Sequence, residues 1–187
     1  MSIFEFVMVL VSIIIGLGIA EILNGVAGLI RSRSSTTRYW LHSLLVAVTF
    51  LALIQQWWEI WSLNTEATWT IIGLLMMLGG PVCFFLIAHL LFPSPIRDAN
   101  LRDYYYSEMK PAWLLVCIAV IISSTFRPIV FGDDLITAEN ASSLLALIGC
   151  GALYVSNRAG LHAVISPALA LSVIVDIALW SFELAQS

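Results

Sequence analysis

Six apolar runs dominate the sequence, and we interpret each as a helix that crosses a lipid bilayer, although the fifth has only 16 residues. They cover residues 3–30, 39–62, 69–92, 112–130, 142–157 and 161–184. A transmembrane helix needs about 20 largely apolar residues, and polar or turn-forming clusters separate these runs. We therefore predict an all-α polytopic membrane protein, in which residues 1–187 form a single transmembrane domain, a bundle of six helices.

The composition excludes several classes of protein. Hydrophobic residues make up 60% of the chain and charged residues 11%, against roughly 45–50% and about 25% in soluble domains. The net charge of −4 provides no basic surface for phosphates, so we expect no nucleic-acid partner. Phosphate loops, nucleophile elbows and zinc-protease motifs are absent from the sequence, and we predict no enzyme activity. The expected location is the cell membrane, which is the inner membrane in a bacterium, with the lipid bilayer as surroundings.

The basic residues indicate how the helices are oriented. Seven of the eight lysines and arginines fall in alternate connections: Arg31, Arg33, Arg38, Arg97, Arg102, Lys110 and Arg158. The other connections carry the acidic residues Glu66, Asp133, Asp134 and Glu139. Short cytoplasmic loops are enriched in Lys and Arg. We therefore predict that both termini lie outside.

The longest connection, residues 93–111, is predicted to contain a short interfacial helix between the third and fourth spans. Ser94 suits the N-cap, Pro95 suits the first helical position, and Asp98 lies four residues before Arg102. Tyr104, Tyr105 and Tyr106 suit the headgroup layer. The loop is either a connector or, as the alternative, a surface for a protein partner on the inner face.

Charged side chains inside a span require a partner, water or a proton. Arg127 in the fourth span and Asp176 in the sixth lie at about the same depth, roughly 22 Å from the inner end at about 1.5 Å per residue. This common depth predicts an intramembrane ion pair between them. A gating or substrate-binding role for the two residues is the alternative.

The first span carries an acidic residue beside a ridge of small side chains. The ridge comprises Ser12, Gly16, Ala20, Asn24 and Gly28. Small residues at this spacing permit close helix packing, and Glu21 projects toward the same side. Glu21 is either a reversible proton or cation site facing solvent inside the protein, or a neutral carboxyl bonded to Asn24.

The second span carries a polar stripe from one end to the other. It consists of His42, Leu45, Thr49, Ala52, Gln56 and Glu59. Lipid disfavours polar side chains, so the stripe faces other helices or water. It is either one wall of a hydrated pathway or a polar seam that joins helices.

Three histidines, His42, His89 and His162, fall near predicted inner helix ends. Imidazole is a common metal and haem ligand, so this shared depth permits such a site without requiring one. The spacing within single helices does not suit a ligand pair, and we predict no cofactor and no metal.

These patterns favour transport as the function. The leading hypothesis is a homo-oligomeric channel or small carrier for protons or small cations, with a pathway of Glu21, Asn24, His42, Thr49, Gln56 and Glu59. The alternative is a non-conducting membrane subunit that anchors or stabilises a larger complex through its small-residue ridges.

Overall fold

Seven α-helices form the described part of the chain. The computed structural model describes residues 3–32, 35–65, 70–135 and 137–180. The helices are α1 (Ile3–Arg31), α2 (Trp40–Trp61), α3 (Ile71–Leu90), α4 (Leu101–Glu108), α5 (Lys110–Phe131), α6 (Ala138–Val155) and α7 (Ala159–Trp180). Five of them, α1, α2, α3, α5 and α7, are long and apolar enough to cross a membrane. The apolar part of α6 is shorter, so a sixth span stays a prediction.

The six long helices form a closed ring. Going around it, the order is α1, α3, α5, α6, α7 and α2, with α2 packing back against α1 and also against α3. The order differs from the chain order because α2 and α3, although consecutive, both flank α1. The predicted all-α fold is thus confirmed, whereas the six-span bundle stays a prediction.

The connections that carry basic residues meet at one end of the ring. Thr37, ahead of α2, forms a β-bridge with Asn100, ahead of α4, in which the Thr37 N–H donates to the Ala99 carbonyl over 3.1 Å. We call this the arginine-rich end; its basic residues are Arg31, Arg38, Arg97, Arg102, Lys110 and Arg158. Arg33, Glu66 and the side chain of Glu139 lie outside the described residues. Which membrane face this end occupies stays a prediction.

The short helix α4 begins later than predicted. Ser94 and Pro95 lie in an irregular segment, and the N-cap is Asn100, whose Oδ1 accepts from the Arg102 N–H over 3.1 Å. The bridge to Thr37 holds the chain extended up to this cap. The placement of α4 also differs from a surface helix, because its residues Leu101 and Tyr105 are buried.

Neighbouring segments approach α1 closely enough to require glycine on only one of its faces. A side chain at Gly25 would collide with the Phe92 ring, and one at Gly28 would lie 2.5 Å from the Ile96 side chain. The last turns of α1 therefore pack along the chain that follows α3. A Cβ at Gly16 meets nothing within 4 Å, and the ridge residues Ser12, Gly16, Ala20 and Asn24 are exposed.

This difference predicts opposite effects of one substitution in a single helix. Gly25→Ala should destabilise the protein by about 1–3 kcal/mol, because the Phe92 ring must leave its place. Gly16→Ala is the matched control and should stabilise by roughly 0.5–1 kcal/mol, since alanine is the better helix former. Thermal unfolding in detergent, followed by circular dichroism, measures both. Equal shifts for the two variants would contradict the packing of α1.

Candidate binding cavity

A cavity of about 170 Å³, lined by both polar and apolar side chains, lies inside the ring, between α2, α3, α5, α6 and α7. Its polar lining residues are Gln55, Gln56, Glu59, Ser123, Ser142, Ser143, Ser172 and Asp176. The apolar lining residues are Ala52, Phe84, Ala119, Val120, Ala146 and Val173. The volume accommodates several water molecules. None of the described lining residues is basic.

The polar lining residues lie in the half of the ring remote from the arginine-rich end, whereas Phe84 and Ala119 lie closer to the middle of the ring. Glu59 comes two residues before the end of α2, and Asp176 four residues before the end of α7. Ser142 and Ser143 lie near the start of α6, which is antiparallel to α5. Glu59 and Ser142, which lie close to this end, are themselves exposed.

Helix α2 contributes both amides and one carboxylate of the cavity. Gln55 and Glu59 are one turn apart, and the Gln55 Nε2 donates to the Glu59 Oε1 over 2.8 Å. The Gln56 amide lies over Gly80 of α3, where a Cβ would come within 2.7 Å of its Nε2. Glycine at this position therefore provides the space that the Gln56 side chain occupies.

The predicted ion pair between Arg127 and Asp176 is not formed among the described residues. The Arg127 Nε donates to the Asp133 Oδ2 over 2.8 Å, and both side chains are about half exposed. Arg127 lies in the last turns of α5, and Gly132, in the left-handed conformation, turns the chain so that Asp133 is a nearby partner. Equal depth was insufficient evidence, since it does not specify the direction in which a side chain points.

Asp176 instead lines the cavity from α7. Within the described part of the chain, its carboxylate has neither a hydrogen bond nor an ion pair. The sequence indicated that a carboxylate at this depth is energetically costly, but the predicted partner, Arg127, was wrong. Helices α5, α6 and α7 contribute serines to the cavity. These serines form no periodic pattern in the sequence, so the sequence did not predict that they share a cavity.

Glu21 and Asn24 lie on the outer surface of α1, away from the cavity. The Glu21 Oε1 is 3.6 Å from the His89 Nδ1, and their side chains are 41% and 68% exposed. His89 is the last residue but one of α3, so Glu21 is level with a helix end rather than with the middle of the bundle. The structure therefore gives Glu21 a neighbour that the sequence did not predict, and Glu21 is not among the residues that line the cavity.

The polar stripe of α2 divides into two parts. Gln56 and Glu59 reach the cavity, whereas His42 and Thr49 are buried. The Thr49 hydroxyl donates to the Leu45 carbonyl over 2.8 Å, and the His42 Nε2 donates to the Leu91 carbonyl over 2.7 Å. The stripe thus lines the cavity toward one end of α2 and is buried toward the other, and a hydrated pathway stays a prediction.

An aromatic cluster closes the arginine-rich end, and sequence reasoning did not predict it. We call it the tyrosine cluster; it consists of Tyr39, Tyr105, Tyr106, Trp113 and His162. The Tyr105 ring is 2% exposed, and its centroid is 5.4 Å from that of the His162 ring. Burial raises the pKa of Tyr105 to about 12, so its hydroxyl keeps its proton at neutral pH.

The three histidines do not come together. His42 bonds to the end of α3, His89 neighbours Glu21, and His162 belongs to the tyrosine cluster. Among the described residues, no group of three or more His, Cys, Asp or Glu side chains is placed to hold a metal ion.

No family model, curated protein or solved structure matches the chain.

The cavity wall and the buried part of α2 should differ in their access to solvent. Ser172→Cys, in the cavity wall, should react readily with a water-soluble methanethiosulfonate reagent, whereas Thr49→Cys should be protected because Thr49 is 3% exposed. Peptide mapping by mass spectrometry separates these positions from the native cysteines. Comparable labelling of both variants would contradict the burial of Thr49.

Proposed function

We propose that this chain is a membrane carrier for small cations, and that the cavity is its binding site. The observation that carries the proposal is Asp176, a carboxylate without a protein partner in the described chain that lines a cavity between apolar helices. An ionisable side chain in such a position is retained at a cost and typically marks an ion or substrate pathway.

The residues that line the cavity favour a ligand of positive charge. Two carboxylates, Glu59 and Asp176, face the cavity, and no described lining residue supplies a positive charge. Carboxylate, amide and hydroxyl oxygens are ligands for hard cations and acceptors for ammonium groups. An anion would meet repulsion from both carboxylates inside a medium of low dielectric constant.

The sealed half of the ring favours a carrier over an open channel. Between the cavity and the arginine-rich end, the packed core includes Cys150 and Leu153, both at most 2% exposed. A channel requires a continuous hydrated path, whereas a carrier exposes one binding site to each side in turn. The cavity lies within one chain, so binding requires no second copy, and homo-oligomerisation remains a separate prediction.

Uptake into proteoliposomes tests the proposal. We expect saturable uptake of at least one of four probes, namely protons, Na⁺, K⁺ and methylammonium. Asp176→Asn should reduce it by about 10- to 100-fold, the effect of losing a hydrogen bond to a charged group of about 1.5–3 kcal/mol. Glu59→Gln should also reduce it.

Asp134→Asn is the matched control, because Asp134 is exposed at the same end of the ring and is not among the cavity residues. Its uptake should equal that of the wild type. The proposal fails if none of the probes shows saturable uptake, or if Asp176→Asn and Asp134→Asn behave alike.

A second candidate function, a non-conducting subunit that binds another membrane protein, is favoured by the outer face of α1. Glu21, Asn24 and His89 expose polar atoms there, beside the small residues Gly16 and Ala20. Polar groups that face hydrocarbon are costly and are commonly covered by a neighbouring helix. This function predicts that Glu21→Gln impairs co-purification with a partner and leaves cation uptake unchanged.

A further inference from the structure

We propose that Tyr105 is the latch that keeps the arginine-rich end closed, and that release of its hydroxyl from α7 opens the cavity toward that end. This inference rests on the proposed carrier function, because a carrier needs a second, opposite opening. The Tyr105 latch comprises Tyr105 of α4 with His162 and Ser166 of α7.

The direction of each hydrogen bond in the latch follows from the histidine. The His162 Nε2 lies 2.7 Å from the Ser156 carbonyl, which can only accept, so Nε2 carries the proton. The Nδ1 of the neutral ring is therefore an acceptor. The Tyr105 hydroxyl donates to it over 3.1 Å and accepts from the Ser166 hydroxyl over 3.2 Å. One phenol thus joins α4 to two successive turns of α7.

The latch lies at the arginine-rich end, and a layer of buried residues separates it from the cavity. On α7, Ser166 lies six residues before Ser172 of the cavity wall, about 9 Å along the helix axis. The buried residues Cys150 and Leu153 of α6 occupy the interval between the two levels. An opening at the arginine-rich end would therefore pass these residues before it reached the cavity.

Pro167 provides a position at which α7 can bend. It follows Ser166 directly and lies inside the helix, between the latch and the cavity. Proline removes one intrahelical hydrogen bond, and kinks in membrane helices concentrate at such residues. Movement about Pro167 would displace His162 and Ser166 while leaving the cavity half of α7 in place.

The closed state also contains two polar atoms without partners. The Trp113 Nε1 and the His42 Nδ1 are buried and have no hydrogen bond in the described structure. Trp113 belongs to the tyrosine cluster, and His42 is in the first turn of α2. An unsatisfied buried polar atom is unfavourable, so opening to water would offset part of the loss of the latch bonds. A small difference in free energy between the closed and open states suits a gate that opens reversibly.

Alkylation of the native Cys150 tests the latch. The full-length protein in vesicles is treated with a membrane-impermeant maleimide applied at the arginine-rich end, and modification of Cys150 and Cys83 is followed by mass spectrometry. Tyr105→Phe keeps the ring and removes the hydroxyl. It should raise the rate at Cys150 by about 10- to 100-fold, the population shift that loss of both hydrogen bonds of the hydroxyl produces, and leave Cys83 of α3 unchanged.

Ser166→Ala should raise the alkylation rate of Cys150 by a smaller factor. Tyr154→Phe is the matched control, because Tyr154 is an exposed tyrosine of α6, and its rate should equal that of the wild type. An unchanged rate at Cys150 in Tyr105→Phe overturns the latch. So does a parallel rise at Cys83 and Cys150, which indicates general loosening of the fold.

The two proposals fail separately. If cations are taken up by the wild type but Tyr105→Phe leaves Cys150 protected, the latch is wrong and the carrier function stands. If Cys150 becomes reactive in Tyr105→Phe but the wild type takes up none of the four probes, the gate stands and the carrier function is wrong.

Discussion

The cost of exposing polar groups to hydrocarbon is the constraint on which this structure depends. In water, a glutamate or glutamine on a helix surface is solvated at no cost, but among apolar helices it must find protein, water or another polar side chain. The chain satisfies this requirement in two ways. Gln55, Gln56, Glu59 and Asp176 share a cavity, while Thr49 and His42 bond to backbone carbonyls. The first arrangement leaves polar groups facing a cavity, and the second buries them against the backbone.

The two ends of the ring are accordingly built from different chemistry. Carboxylates, amides and serines surround the cavity at one end, whereas tyrosine, tryptophan and histidine rings close the other. Aromatic side chains fill space efficiently and still provide one polar atom each, so they can seal a helix bundle and join its parts by directed hydrogen bonds. Hydrogen bonds fix the relative positions of these helices more specifically than apolar contact alone.

Much of the fold could be predicted from the sequence, and less of the site. The apolar runs predicted each long helix to within a few residues, because hydrophobicity and helix length are local properties. The sequence also indicated that Gln56, Glu59 and Asp176 were unusual. It did not indicate that these three share one cavity, nor that Glu21 lies outside it beside His89. Arg127 was assigned to Asp176 by depth alone, and a nearer partner, Asp133, was present in the next turn of the chain.

What the sequence by itself determined is the set of apolar helices, their approximate bounds and the concentration of basic residues in alternate connections. Each of these follows from composition within about twenty consecutive residues, the length that a bilayer requires. Only the tertiary structure decided the order of the helices around the ring, the faces they present to one another and the burial of α4. A lipid-embedded helix has apolar residues on nearly all sides, so its hydrophobic pattern does not specify which side meets a neighbour. That choice depends on complementary packing, such as Gly25 against Phe92 and Gly80 against Gln56, which involves residues distant in the chain.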